Sequence, residues 1–198
     1  FLLYESMLDS VLYARDKWLV EDGLIFPDRF ILNTCLGYDN NFLNEKFNFW
    51  DNVYGIDMSS MKKWYISEPY IQLFDENKIS TTICKVLDID LYTIKLEDLN
   101  FSSEFKFKVI KDMKINCLVS WFDVFFSKKL KNEVKFSTGP FNFMTHWKQT
   151  VFYLPCEVMS TINDDIKGEI CVSKSSFNFR ELDIGLSLSL RRNELFDY

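Results

Sequence analysis

Residues 182–190 read LDIGLSLSL, and this short run decides the fold class. Leu182, Ile184, Leu186, Leu188 and Leu190 take every second position, with Asp183, Gly185, Ser187 and Ser189 between them. Side chains of an extended strand point alternately to the two faces of a sheet, so the run predicts a strand with one apolar and one wet face. The same period recurs where Phe105, Phe107 and Val109 alternate with Lys106 and Lys108. Turn signals at Lys111-Asp112 and Thr138-Gly139-Pro140 separate such runs. From residue 80 onward the chain reads as an antiparallel sheet with one buried face, a barrel or a sandwich.

The first 70 residues have a different texture. In SMLDSVLYARDKWL, residues 6–19, the apolar positions Met7, Leu8, Val11, Leu12, Trp18 and Leu19 fit one face of a helix. Gly23 supplies a turn after it, and LIFPDRFIL reads as a strand broken by Pro27. The change of phase places a domain boundary close to Asp28. Residues 40–70 show no alternation, many aromatic rings and short helical patches ending at Pro69. Trp64 and Tyr65 look surplus to a compact core; composition does not decide between a partner surface and a satellite cluster under a loop.

With 198 residues, 47% apolar and including 20 Phe, 9 Tyr and 5 Trp, the chain is large enough for a substantial core and excludes disorder. The net charge of −6 argues against a nucleic-acid binder, which needs clustered Lys and Arg against phosphate. Cys35, Cys84, Cys117, Cys156 and Cys171 are odd in number, widely spaced and form no CxxC pair, so they read as reduced thiols of an intracellular protein, with no metal site. No apolar run reaches the ~18 residues of a membrane span, and no signal peptide is visible. The chain opens on FLLYE without an initiating Met, as though within a strand, and is expected to be a fragment.

No GxGxxG, GxxxxGK[ST] or GxSxG occurs, so neither a nucleotide cradle nor an esterase elbow is signalled. The only histidine is His146, in THWKQTVFYLP. Beside a tryptophan it reads first as a structural residue.

Five segments change that reading. FLLYESMLDSVLYARDKWLVEDGLIFPDR and FSTGPFNFMTHWKQTVFYL, with WDNVYGIDMSSMKK, LDIDLYTIKLEDLNF and RELDIGLSLSL between and after them, resemble in order the protein arginine N-methyltransferases, specifically the type I branch. LPCEVMSTINDDIKGE matches poorly. The resemblance implies a mainly β fold: an antiparallel β-barrel at residues 29–198, interrupted by a helical dimerisation arm at about 40–70. Residues 1–28 would be the last strand-helix-strand remnant of a Rossmann-like domain that binds S-adenosylmethionine. The cofactor-binding residues themselves are expected to lie outside this chain.

In that family YESM ends a carboxylate hairpin and THW forms the loop that faces it. Glu5 then corresponds to the second of two glutamates that grip a substrate guanidinium, and His146 to a loop histidine that orients the clamp or relays a proton. These two are the expected catalytic residues. Met7, Thr145 and Trp147 would line the arginine pocket, Met7 restricting which dimethylated product fits. Trp50, Tyr54, Met58, Met61, Trp64 and Tyr65 would belong to the dimerisation arm. Tyr4, one position from Glu5, is expected to point to the opposite face and pack.

The implied activity is formation of monomethyl- and asymmetric dimethylarginine in Arg/Gly-rich proteins or histones, by a homodimer in the cytoplasm and nucleus, with no direct nucleic-acid or membrane partner. The isolated chain is expected to be inactive. The alternative is a non-catalytic β-barrel module for dimerisation or protein interaction.

Overall fold

The computed structural model describes residues 1–191, with side chains through residue 189; residues 192–198 of the expected barrel domain and the Leu190 side chain lie outside the described residues. Helix α1 (Met7–Trp18) is followed by β1 (Arg29–Gly37), the short helices α2 (Asn40–Phe42) and α3 (Lys62–Ser67), and β2 (Tyr70–Gln72). Then come β3 (Cys84–Asp90), β4 (Phe101–Lys108), β5 (Met113–Phe126), β6 (Val134–Ser137), β7 (Gln149–Ser160), β8 (Asp165–Lys174) and β9 (Leu182–Arg191). The strands form two antiparallel sheets, a six-stranded one in the order β2-β7-β5-β1-β3 with β6 also on β5, and a three-stranded one in the order β4-β8-β9. The mainly β, antiparallel, barrel-like architecture is the one expected.

The alternation that decided the fold class is realised where one face is wet. Leu182, Ile184, Leu186 and Leu188 are half-buried while Asp183, Gly185, Ser187 and Ser189 are exposed. Phe105 and Phe107 are buried between exposed lysines. Gly168 on β8 pairs with Phe105 on β4, whose ring would lie 2.6 Å from an added Cβ, so this close approach favours glycine.

β5 behaves differently, because it is covered on both sides. Leu118, Phe122 and Val124 enter the core shared with α1, β4 and β8, whereas Cys117, Val119 and Trp121 enter a second core with Phe42, Phe74, Val151 and Tyr153. A bulge between Ile115 and Cys117, against β7, shifts the phase, so Ile115 joins the first core despite its odd number.

The amino end departs from expectation. Among the described residues no strand precedes β1, so the expected strand-helix-strand reduces to a 3-10 turn at Tyr4–Ser6 and α1. The physical reason lies in the backbone: Glu5 and Ser6 have φ of 69° and 55°, which no strand tolerates. Tyr4 is accordingly 57% exposed rather than packed, since strand alternation does not apply to it. Leu12 is the buried residue of α1, with Leu8 and Val11 packed beside it, while Met7 and Trp18 are exposed. Arg15 fixes the helix to the barrel by donating to the carbonyls of Leu91 and Ile94 at 2.8 and 2.7 Å. Asp28 ties the start of β1 to the end of β5, accepting from the Ser127 N–H and hydroxyl, each at 2.6 Å.

Candidate functional site

Two consecutive non-glycine residues in the left-handed region are costly, and the Glu5-Ser6 turn persists because another part of the chain holds it. The Glu5 N–H donates to the Arg180 carbonyl at 2.8 Å, and the Ser6 hydroxyl donates to the Phe179 carbonyl. The Arg180 guanidinium donates to Oε1 of Glu5, forming an ion pair. All three partners come from the loop joining β8 to β9. That loop is itself shaped by Asn178, whose side chain accepts from the Arg180 N–H at 3.1 Å and donates to Glu181 at 2.9 Å. A Lys174–Asp9 ion pair fastens the end of β8 to α1 nearby. Leu3 is buried beneath the turn, in the core that also holds Leu12.

The THW segment forms a second turn just before β7. The Lys148 N–H donates to the Thr145 carbonyl at 3.2 Å, with Lys148 at φ 53°. His146 is exposed and its ring packs on Trp147 with centroids 3.9 Å apart. Trp147 lies parallel to Phe136 at 5.8 Å and edge-on to Phe122 at 5.9 Å, so the turn is docked against β5 and β6. Thr145 is half-buried, and its hydroxyl oxygen is buried without a hydrogen-bond partner.

Glu5 and Arg180 are thus brought together, as are His146, Trp147, Phe122 and Phe136. No hydrogen bond, ion pair or ring contact among the described residues joins Glu5 to His146. An apolar row runs between their neighbourhoods: Phe1 packs edge-on to Phe152 at 6.1 Å, Phe152 pairs with Leu118, and Phe122 lies further along β5 against Trp147. Met7 stands exposed at the start of α1, next to the Glu5 turn. A cavity of about 340 Å³ opens beside Phe136, between Asn33, Trp121, Asp123 and Phe141, and is lined by neither Glu5 nor His146.

The segment at 40–70 is a chain of short helical turns rooted in a buried polar cluster. Asp39, 6% exposed, caps α2 by accepting from the Asn41 N–H at 3.2 Å. Its carboxylate also accepts from Lys78 at 2.9 Å, Tyr153 at 2.9 Å and Gln72 at 3.1 Å. The Asp39 N–H donates to the Asn116 side chain of β5 at 2.8 Å. Burial alone would raise the Asp39 pKa, but the hydrogen bonds from Lys78, Tyr153 and Gln72 outweigh it and hold the carboxyl below its usual range. Burial and the facing Asp39 carboxylate push the Tyr153 hydroxyl far up.

Within this segment the predicted arm residues divide. Tyr65 packs inward, parallel to Phe42 at 5.9 Å, and Trp50 meets it at 5.8 Å. Met58 is half-buried. Tyr54 is fully exposed, Trp64 is 64% exposed and Met61 is also open. Phe42 and Tyr153 stack at 3.4 Å, joining the segment to β7.

Among the described residues no group of three or more His, Cys, Asp or Glu side chains is arranged to hold a metal ion. The five cysteines are unpaired; Cys35 and Cys117 are buried, and burial pushes the Cys35 thiol up to about 12. No glycine-rich strand-turn-helix that would cradle an adenosyl cofactor occurs among the described residues.

Sequence reasoning missed Arg180. A signal existed: the chain holds only five arginines, and one of them stands alone at the head of RELDIGLSLSL. Among the described residues its guanidinium makes a single contact, on Oε1 of Glu5.

The family model for the arginine methyltransferase oligomerization subdomain matches residues 31–193. Protein arginine N-methyltransferase 1 of Saccharomyces cerevisiae is 43% identical over 194 residues, covering 98% of this chain and 56% of the yeast protein. The protein of the same name from Schizosaccharomyces pombe is 44% identical, covering 98% of this chain and 57% of its own length. Among solved structures, the Trypanosoma brucei PRMT1 enzyme-prozyme heterotetrameric complex with AdoHcy superposes with a TM-score of 0.93 at 34% identity, covering 97% of this chain and 61% of that one. Protein arginine methyltransferase 10 of Arabidopsis thaliana, in an open conformation, gives 0.84 at 25% identity, covering 98% of this chain and 64% of that one. The chain spans rather more than half the length of the curated relatives it matches. By the match over residues 31–193, the chain belongs to the protein arginine methyltransferase family.

Proposed function

We propose that the chain is the C-terminal part of an S-adenosylmethionine-dependent, type I protein arginine methyltransferase, in which Glu5 is half of the clamp that seats the substrate guanidinium. In this reading residues 1–28 adjoin the cofactor-binding portion, and the cofactor is held by residues outside this chain. One observation supports the reading above the others: the Glu5 carboxylate is lifted on a strained turn, remains partly open to solvent, and already engages a guanidinium.

A guanidinium is a poor nucleophile because its nitrogen lone pairs are delocalised over a planar cation. A carboxylate gripping two of its N–H groups fixes the plane and draws positive charge toward the gripped nitrogens, leaving the remaining one richer in electrons. Orientation of this kind is worth up to ~7–11 kcal/mol in the best intramolecular cases. His146 and Trp147, packed as one unit against β5, suit a wall of the pocket that orients the substrate. The exposed Tyr54, Met61 and Trp64 suit an arm that docks on a second subunit. Arg/Gly-rich proteins or histone tails are the proposed substrates.

The test is methylation of an Arg/Gly-rich peptide by the full-length protein carrying Glu5→Gln. The amide keeps the shape and removes the charge, so turnover is expected to fall by more than 100-fold, with a smaller loss for His146→Ala. Near-normal turnover of the Glu5 variant would refute the assignment. The alternative, a module for dimerisation without catalysis, predicts indifference to both substitutions.

A further inference from the structure

Resting on the reading of Glu5 given above, we propose that Arg180 is a resident competitor for the Glu5 carboxylate, so that it sets how tightly a substrate arginine is held. The group that Glu5 is read to grip in a substrate is a guanidinium, and the chain already places one of its own on Oε1 of that carboxylate. Glu5 cannot give its full charge to two guanidinium groups at once. An incoming arginine displaces Arg180 from the acid.

Three features make displacement feasible. The Arg180 and Glu5 side chains are 58% and 42% exposed, and an ion pair this open to water is weak. Arg180 engages Oε1, which leaves Oε2 for first contact with a substrate. The loop is held independently of the Arg180 side chain, by the Glu5 N–H on the Arg180 carbonyl at 2.8 Å and the Ser6 hydroxyl on the Phe179 carbonyl. When the guanidinium swings away, the backbone of the Glu5 turn keeps its partners.

The preference for arginine has a different source. A substrate arginine replaces the lost pair with a fork of equal or better geometry, whereas a lysine offers a single point charge and recovers less. Opening the Glu5–Arg180 pair costs the same whichever cation arrives, so Arg180 weakens arginine and lysine peptides by the same factor, and the preference between them is set by Glu5. The role of Arg180 differs from that of Glu5, because Arg180 leaves when the substrate is seated.

The experiment compares full-length protein with Arg180→Gln and Arg180→Lys, using an Arg/Gly-rich peptide and the same peptide with lysine in place of arginine. Initial rates give KM and kcat, and calorimetric titration gives Kd independently of turnover. For Arg180→Gln, KM and Kd for the arginine peptide are expected to fall about two- to five-fold with kcat within two-fold, and discrimination against the lysine peptide is expected to stay the same. That range reflects an exposed pair. Arg180→Lys should lie between the two. A KM that is unchanged or raised would overturn the proposal and assign Arg180 to holding the turn. If the unsubstituted protein neither binds nor methylates the arginine peptide, the reading of Glu5 itself falls and this inference with it; an active unsubstituted protein with an indifferent Arg180 variant sinks the inference alone.

Discussion

Replacing Asp39 by asparagine tests whether the buried polar cluster anchors the 40–70 segment. Oδ1 of Asp39 accepts from Lys78 and from the Asn41 N–H, and Oδ2 accepts from Tyr153 and Gln72. An amide offers one acceptor and one NH₂ in place of two acceptors, so either orientation turns its NH₂ toward two donors. The Tyr153 hydroxyl can rotate to accept, which makes that side the better place for the NH₂. The contact with Gln72 is then lost, and Lys78 faces a neutral carbonyl in place of a charge. Hydrogen bonds to charged groups contribute roughly 1.5–3 kcal/mol. Removing a partner from a fully buried ion pair costs ~3–5 kcal/mol. Lys78, with its side chain 32% exposed, can turn to water, so the expected cost is smaller, about 2–3 kcal/mol. For a chain of this size that lowers Tm by about 5–10 °C.

The pH dependence makes this prediction specific. The Asp39 carboxyl is held below its usual value of 3.8 in the folded state, so its stabilising contribution is fully present above that value and lost as pH falls through the folded pKa. Urea unfolding of both forms should therefore show a gap at neutral pH that closes in acid. A gap under about 0.5 kcal/mol at pH 7, or one that persists undiminished in acid, would refute the account of Asp39 as a charged anchor.

Two further substitutions test the barrel. Gly168→Ala places a methyl group against the Phe105 ring and the Ser187 carbonyl, and the backbone oxygen cannot yield; a loss of about 1–3 kcal/mol is expected, read as a lower urea midpoint with an unchanged slope. A neutral result would contradict the packing of β8 between β4 and β9. Arg29 grips Asp88 with two hydrogen bonds of 2.7 and 2.6 Å and, with Lys85, holds the Asp88 carboxyl at about 2. Arg29→Ala should raise that value toward 3.8 in a carboxyl NMR titration, and should remove part of the stability that the unsubstituted protein keeps until pH falls toward 2. Both side chains are partly exposed, so the stability change at neutral pH should stay below about 1 kcal/mol.

How legible the fold is from the sequence depends on what covers each strand. β9 and β4 are wet on one face, and their alternation can be read directly in Leu182–Leu188 and Phe105–Phe107. β5 is covered on both faces and interrupted by a bulge, so MKINCLVSWFDVFF shows no clean period and its pairing with both β1 and β7 follows only from the structure. The Glu5 turn is harder still. Nothing local in YES demands two left-handed residues; the demand comes from Phe179 and Arg180, more than 170 positions away. Likewise, the density of rings in residues 40–70 signalled an unusual segment, but Tyr65 and Trp64 are neighbours in sequence with opposite fates, inward and outward, because a short helix separates them by about 100°.

Because β5 lends one face to each of the two cores, it is a common wall between the compartment that supports Glu5 and the one that roots the 40–70 segment. Neither compartment can melt without exposing the other's lining, so the two should lose amide protection together, at the free energy of global opening. A lesion beside Asp39 would then loosen the Glu5 end only by lowering the stability of the entire molecule, and never as a local fraying confined to one side.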